Sequence, residues 1–276
     1  MKHVRFILPV VAAAFFVSGC RNKPAAQNIV RLATTTSVRD AGLLDALTDA
    51  FRKNGKYVLQ SIAVGSGQAM QLGRTGEADI LLVHSPADEA QFVAEGYGIN
   101  RTTFMHNDFV ILGPAADPAK VKGAKKAADV FMKIAAAKAM FVSRADNSGT
   151  HKKELKIWDA AKVKPAKDFY IEAGQGMAGT LSIANEKNAY CLADRSTYLA
   201  MRRNMELVIV GEGDDALINR YSLILVNTAK FPRANAVGAR AFFDFILSKP
   251  AKEIIEKFGR DTYGRQLFFY DYKEGK

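Results

Sequence analysis

The sequence predicts an α/β protein built as two lobes around a ligand cleft, and three observations carry that expectation. From residue 29 onward, short β-rich runs alternate with helical ones, the order that gives parallel strands with helices on both faces. A longer β-rich passage, 104-FMHNDFVILGP-114, ends in Gly-Pro and fits a crossover out of a first lobe. The runs 206-ELVIVGEG-213 and 220-RYSLILVN-227 then offer a path back. The expected division is 29–108 with 215–276 as lobe 1 and 109–214 as lobe 2, each a mostly parallel sheet flanked by helices. The same alternation also fits a single doubly wound domain without a hinge.

Taken in order, the strand-like 29-IVRLA-33 leads into 38-VRDAGLLDALTDAFRKNG-55, where Leu43, Leu44, Leu47, Ala50 and Phe51 recur at helical spacing and Gly55 supplies a stop. Strand 57-YVLQSIAV-64 precedes helix 67-GQAMQLGRTG-76, and strand 79-DILLV-83 precedes helix 86-PADEAQFVAEGYG-98. A second series follows the crossover: helix 125–137, strand 139-AMFVS-143, a helix after 148, strand 168-DFYIEA-173, helix 176–187 and strand 189-AYCLA-193. Apolar helices over 235–248 and 250–259 close the chain.

The N-terminus has a different character. Lys2 and Arg5 precede the apolar run 6-FILPVVAAAFFV-17, then small residues and Cys20, the order of a secretion signal too short to span a bilayer. The segment 17-VSGC-20 resembles the lipobox of bacterial lipoproteins, which implies cleavage after residue 19, a lipid on Cys20, a polar tether over 20–28 and attachment to a membrane surface. A buried helix with a chance cysteine is the other reading. Cys191 is then the one remaining cysteine, so no internal disulfide is expected, and its apolar strand-like setting suggests a buried thiol.

The 276 residues carry a formal charge of +11, which falls to +9 without residues 1–19. The lysines are scattered through helical segments and no aromatics interleave with them, so nucleic acid is not the expected partner. Solvated basic faces on a monomer with a mild attraction for anions fit better.

The chemistry gathers at strand-to-helix turns. In 33-ATTTSVRDAG-42 four consecutive hydroxyl residues, among them Thr35, Thr36 and Ser37, precede a helix. Thr36 or Ser37 can cap it, with Asp40 in a capping-box position, yet one cap needs one hydroxyl; the surplus can face an anion, because a helix start presents free N–H groups and partial positive charge. In 64-VGSGQAM-70, Ser66 can cap and donate while Gly67 admits a ligand close to backbone, although Gly-Ser-Gly is also plain turn chemistry. The third turn is 143-SRADNSGTHKKE-154. Arg144 offers two parallel donors at any relevant pH, and Ser148, Gly149 and Thr150 add helix-start donors. Asp146 either orients Arg144, caps the helix or accepts a proton from a protonated ligand; a surface ion pair is the plain reading of Arg144. Strands of such a sheet deliver their C-terminal turns to one cleft. One arginine–monoanion contact contributes about 4 kcal/mol gross at an effective dielectric of about 20, and a dianion about twice that.

The strings ATTTS, VGSGQA, ADILLVHSP, EGYG, NDFVILGP, FVSRADNSGTHKKE, GQGM and IANEKNAYCLADRSTYLA occur in this order and together resemble the substrate-binding components of tungstate ABC importers. The resemblance covers essentially the whole mature chain. It implies a two-lobed periplasmic-binding-protein fold of the second class, closing over tungstate or a related tetrahedral oxyanion such as molybdate and handing it to ABC permease subunits, with no cofactor and no metal. Carried onto this sequence it suggests Thr35, Thr36, Ser37 and Ser66 on one side, and Arg144, Ser148 and Thr150 on the other. Phosphate-binding proteins share a related Arg-x-Asp-x-Ser-Gly-Thr turn, which keeps a phosphate receptor as the alternative. In 174-GQGM-177, Gln175 is a secondary candidate beside Asp146, and a plain glycine-rich cap is the other reading. His84, His106 and His151 show no metal-ligand spacing and are expected to be structural or solvent-facing. An exported hydrolase using Ser148 or Thr150 with His151 is a different class, weakened because no G-x-S-x-G elbow is present and chain neighbours rarely point a base at a nucleophile. A surface adhesin is a third, and would need no buried oxyanion cluster.

Overall fold

The computed structural model describes residues 28–53 and 55–273. The signal segment, Cys20 and the tether up to residue 27 lie outside the described residues. In chain order the elements are β1 (Ile29–Thr35), α1 (Thr36–Asp40), α2 (Leu43–Lys53), β2 (Val58–Val64), α3 (Ser66–Arg74), β3 (Ile80–Val83), α4 (Pro86–Ala94) and β4 (Gly98–Gly113). There follow α5 (Ala127–Ala136), β5 (Phe141–Ser143), α6 (Gly149–Ala160), β6 (Tyr170–Glu172), α7 (Met177–Glu186), β7 (Tyr190–Asp194), α8 (Arg195–Met201) and β8 (Val208–Gly211). The chain closes with β9 (Ile218–Val226), α9 (Ala236–Ile246), α10 (Lys249–Lys257), α11 (Arg260–Tyr263) and β10 (Phe269–Tyr270). No described helix is long and apolar enough to cross a membrane.

The strands run in the order β2-β1-β3-β9-β4-β7-β5-β6, with β8 and β10 also paired to β4. β4 is the common member. Its residues from Gly98 to Asp108 pair with β9, and those from Phe109 to Leu112 pair with β7. Strand alternation sorts the apolar residues into two layers on each side of that change. Leu32, Ile80, Leu82 and Phe104 pack with Phe242 and Ile246 on one face, while Ala33, Leu81 and Val83 pack with Met70 and Phe92 on the other. Beyond the change, Phe109 and Ile111 join Phe131, Phe141 and Trp158, whereas Val110 and Leu112 join Met177, Leu181 and Cys191. The result is two α/β lobes, each with a sheet covered on both faces and a core of its own. Cys191 is a free buried thiol, and Trp158 and Met177 fill packing roles.

Three details differ from the sequence expectation. The sheets are mixed rather than mostly parallel: β1 runs parallel to β2 and β3, and β5 to β6 and β7, but β9 and β4 run antiparallel to their neighbours because the chain returns through them. The helix expected over 38–55 is two helices, broken at Gly42, whose φ of 87° is a left-handed conformation no helix interior holds. β4 begins at Gly98, earlier than its apolar core suggests, because Ile99 to Thr103 are exposed or half-buried and carry no apolar run.

Gly113, at the end of β4, is required by packing. A Cβ there would collide with Cδ1 and Cε1 of Tyr190. That ring cannot swing aside, since its hydroxyl donates to Asp117 at 2.8 Å and accepts from the Ala119 N–H at 3.1 Å. Gly113→Ala is expected to destabilise the protein by about 1–3 kcal/mol, the range for overpacking a filled site. Urea unfolding would show it as a lowered midpoint at unchanged slope; an unmoved midpoint would contradict the packing argument.

Candidate functional site

The loop after β5 takes two left-handed residues in quick succession, Ala145 at φ 47° and Asn147 at φ 57°. Asparagine tolerates that region; alanine is strained there, and such strain collects at ligand-binding turns. The bend folds Arg144 inward until it is only 4% exposed. Its Nη2 donates to Asp146 Oδ2 at 2.6 Å and its Nη1 to Thr150 Oγ1 at 3.4 Å. Its Nε is buried without a partner, one of three such side-chain atoms among the described residues. Asp146 is occupied on both oxygens, for Oδ1 accepts the Ser148 N–H at 3.1 Å. It orients the arginine and closes the turn. Ser148 is the N-cap of α6, its Oγ accepting from the His151 N–H at 3.2 Å.

The other lobe meets this turn directly. A Cβ on Gly65 would lie 3.6 Å from Ser148 Cα and Cβ, one on Gly67 would lie 3.5 Å from the Asn147 carbonyl oxygen, and one on Gly149 would overlap the His84 ring. The starts of α3 and α6 therefore face each other in van der Waals contact, and at Gly149 the approach to His84 leaves no room for a side chain. Around them Lys152 pairs with Asp88, and Lys153 Nζ donates to the carbonyls of Ala216 at 2.9 Å and Ile218 at 3.0 Å. Neither expected cap in this lobe forms. α1 starts at Thr36 with Thr35 at the N-cap, α3 starts at Ser66 with Gly65 at the N-cap, and neither cap makes a side-chain bond; Asp40 pairs with Arg39 instead. The hydroxyls are thus free for other work. Thr35 and Ser37 are buried and share a hydrogen bond of 3.2 Å, Ser66 is buried with its Oγ accepting the His84 N–H at 3.4 Å, and Thr36 is half-buried.

The two halves connect through a buried polar chain: Ser37 Oγ to Tyr221 Oη at 3.0 Å, Tyr221 to Asn219 Nδ2 at 3.1 Å, and Asn219 Oδ1 to His84 Nδ1 at 2.9 Å. His84 in turn lies under Gly149. The structure therefore brings Ser37, Ser66, Gly67, Arg144, Ser148, Gly149 and Thr150 into one continuous contact network, with Thr35 attached through Ser37. Gln175 stands outside it: the residue is exposed in the turn ahead of α7, its side chain folds over Gly179 of that helix, and it shares no side-chain hydrogen bond with the group.

Electrostatics follow from burying one cation. Burial and then the Arg144 charge hold His84 down at about 4, with the Asn219 bond opposing them, so this histidine is neutral at physiological pH. Asp194, at the N-cap of α8, is raised by burial and stabilised as the anion by Ser196, Thr197 and the Arg144 charge. Burial pushes Glu154 up to about 7 against the bonds it accepts from Tyr170, Ser143 and Trp158. Three residues central to the network carried no sequence signal that was used: Asn219, Tyr221 and Asp194. Asn219 and Tyr221 share the face of β9 that buries Leu223 and Leu225, so a polar amide at a core-facing position was the available clue. Asp194 repeats the strand-to-helix pattern of the other turns, in a helix too short to announce itself.

Two lobes that share a strand and oppose their helix starts across a buried arginine define a two-lobed solute-binding fold. The chain belongs to the PBP superfamily: the model of the PBP superfamily domain matches residues 22–250. It is 44% identical over 273 residues to the tungstate-binding protein TupA of Peptoclostridium acidaminophilum, covering 95% of this chain and 96% of that protein. Among solved structures, the tungstate ABC transporter from Geobacter sulfurreducens superposes with a TM-score of 0.78 at 42% identity, over 85% of this chain and 100% of that one. The tungstate-binding protein TupA from Desulfovibrio alaskensis gives 0.77 at 43% identity, over 89% and 99%.

Glu154 generates a pH prediction. Its folded value of about 7 lies above the ordinary 4.5, so the folded state holds the proton more tightly. The associated stabilisation is fully present below the unfolded value and is lost as pH rises through about 7, amounting to about 3 kcal/mol across that window. Glu154→Gln, which mimics the protonated form, should gain stability relative to the native protein from pH 5 to pH 8 in paired urea titrations. Parallel pH profiles would refute the assignment.

Proposed function

We propose that the protein is the substrate-binding receptor of a tungstate ABC importer, closing its lobes over the dianion and presenting it to the permease. The observation that carries the reading is Arg144, a buried guanidinium whose Nε has no partner in the protein, set between two opposed helix starts. Asp146 is the carboxylate hydrogen-bonded to it, and a buried cation with a donor still to spare calls for a further anion. Ser66, Ser148 and Thr150 each accept a hydrogen bond from the protein, which leaves their own protons to give. Together with Thr35, Thr36, Ser37, and the first-turn N–H groups at Gly67 and Gly149, they supply a donor-rich lining suited to a tetrahedral dianion. The phosphate alternative is not favoured, since the relative at 44% identity is a tungstate-binding protein.

Binding rather than catalysis fits the geometry of the third turn. Ser148 Oγ accepts from His151, whose Nδ1 itself accepts the Asn147 N–H at 3.1 Å, so no base faces a nucleophile. The lobe division 29–108 with 215–276 and 109–214, a lipid on Cys20, an extracytoplasmic location at the membrane surface, a monomeric state and the absence of a cofactor, resident metal or nucleic-acid partner belong to the same reading. The change of pairing after Asp108 in β4 supports the lobe division, and the relatives' names support the tungstate ligand.

Titration calorimetry with tungstate, molybdate, sulfate and phosphate tests the proposal. Tungstate should bind in the nanomolar range, about −12 kcal/mol. Arg144→Ala should weaken it by about 2–5 kcal/mol, the loss typical of removing one buried charged partner. Binding of phosphate alone would overturn the reading.

A further inference from the structure

Helix α6 is held from two sides. Ile157 and Trp158 sink into the core of its own lobe and fix the helix there. Gly149, Lys152 and Lys153 are spaced three and four residues apart, so they share one side of the helix, and that side meets the other lobe. Gly149 lies against the His84 ring, Lys152 pairs with Asp88, and Lys153 Nζ donates to the carbonyls of Ala216 at 2.9 Å and Ile218 at 3.0 Å. Ile218 is paired with Asp108, where β4 changes partners, so the Lys153 bonds lie at the pivot. Asp88 belongs to the first turn of α4, a helix anchored in the first lobe through buried Phe92. Its carboxylate is set in place by its own lobe. Oδ2 accepts from Ser85 Oγ at 2.6 Å, while the neighbouring Glu89 accepts the Ser85 N–H at 2.7 Å and pairs with Arg101 at 2.8 Å. Burial opposes the charge on Asp88, yet the bonds from Lys152 and Ser85 prevail and hold its carboxyl below the ordinary range.

We propose that the Lys152–Asp88 pair is the latch of the closed receptor, an ion pair made between the lobes on closure and broken on opening, which sets how long a bound oxyanion is held. The proposal rests on the reading of the cleft as an oxyanion site that opens and closes. Each partner is mounted on a helix packed into one lobe alone, so the pair persists only while the lobes are shut. Lys152 stands within one turn of Gly149 and Thr150, so the helix start that faces the ion and the lysine that grips the other lobe move as one rigid piece. The two side chains are 35% and 27% exposed. On opening, each charge regains its water, so the pair alone closes an empty cleft only weakly. A bound ion supplies the rest. The latch therefore acts on the escape of an ion already held, which is where most differences between related complexes arise.

The experiment is the exchange of isotopically labelled tungstate from the full chain against excess unlabelled tungstate, on the native protein, Asp88→Lys, Lys152→Glu and the double variant that reverses the pair. Each single reversal sets like charges against each other between the lobes and should speed release by about fivefold, the scale of one partly exposed ion pair. The double reversal should return release to within about twofold of native. The two single variants change the net charge in opposite directions, so an action of charge on the anion alone would speed release in one and slow it in the other. Release that is unchanged in both singles, that moves in opposite directions, or that stays fast in the double reversal overturns the latch. If the native protein retains no tungstate, the receptor reading fails and the latch with it. Thermal unfolding checks that each variant folds. Should a reversal not fold, Asp88→Asn keeps the shape without the charge and should speed release by about threefold; unchanged release there overturns the proposal as well.

Discussion

A guanidinium taken out of water governs the cleft. Removing an ion from water costs several kcal/mol even after relaxation, and the single carboxylate beside Arg144 offsets only part of that. The remainder falls on the surroundings. Burial, and then the Arg144 charge, keep His84 unprotonated, and His84 Nδ1 meets Asn219, whose amide reaches Tyr221 in turn. Arg144 favours the ionised form of Asp194, which lies buried at the head of α8. The whole polar interior between the lobes is organised as the environment of one fixed positive charge that still has a donor to spare.

The fold delivers these groups because strand ends and helix starts coincide in space. β1 ends at Thr35, β2 runs into Gly65, β3 into His84, β5 into Arg144 and β7 into Asp194. Each turn is short, so each side chain is tied to a rigid strand. Closure between the lobes then depends on the missing side chain at position 149 as much as on those present. Larger residues there would hold the two helix starts apart and leave the arginine wet, which would weaken its attraction for an anion.

Much of this was legible before the coordinates. The alternation of elements, the hydroxyl-rich turn at 34–37 and the Arg-x-Asp-x-Ser-Gly-Thr turn are local patterns, and local patterns survive in a single sequence. Capping was misread at Thr36, Ser37 and Ser66 because a hydroxyl at a helix start has two uses, and only the fold decides between them. Asn219 and Tyr221 were missed for another reason: their roles come from strand pairing between distant segments, and in the sequence they look like ordinary members of a β-strand. Gln175 shows the converse, a residue in a suggestive motif whose side chain packs over Gly179 and joins no hydrogen bond of the network.

The placement of β9 has a consequence for how the chain acquires its shape. β3 and β4 do not pair with each other; both wait for β9, which arrives only after the entire second lobe has been made. The first lobe thus cannot complete its sheet on the ribosome until residues near the C-terminal end emerge. Long-range pairing of this kind slows folding. The second lobe, whose strands β5 to β8 pair among themselves and with the end of β4, has its partners in hand first, so the half begun earliest is finished last.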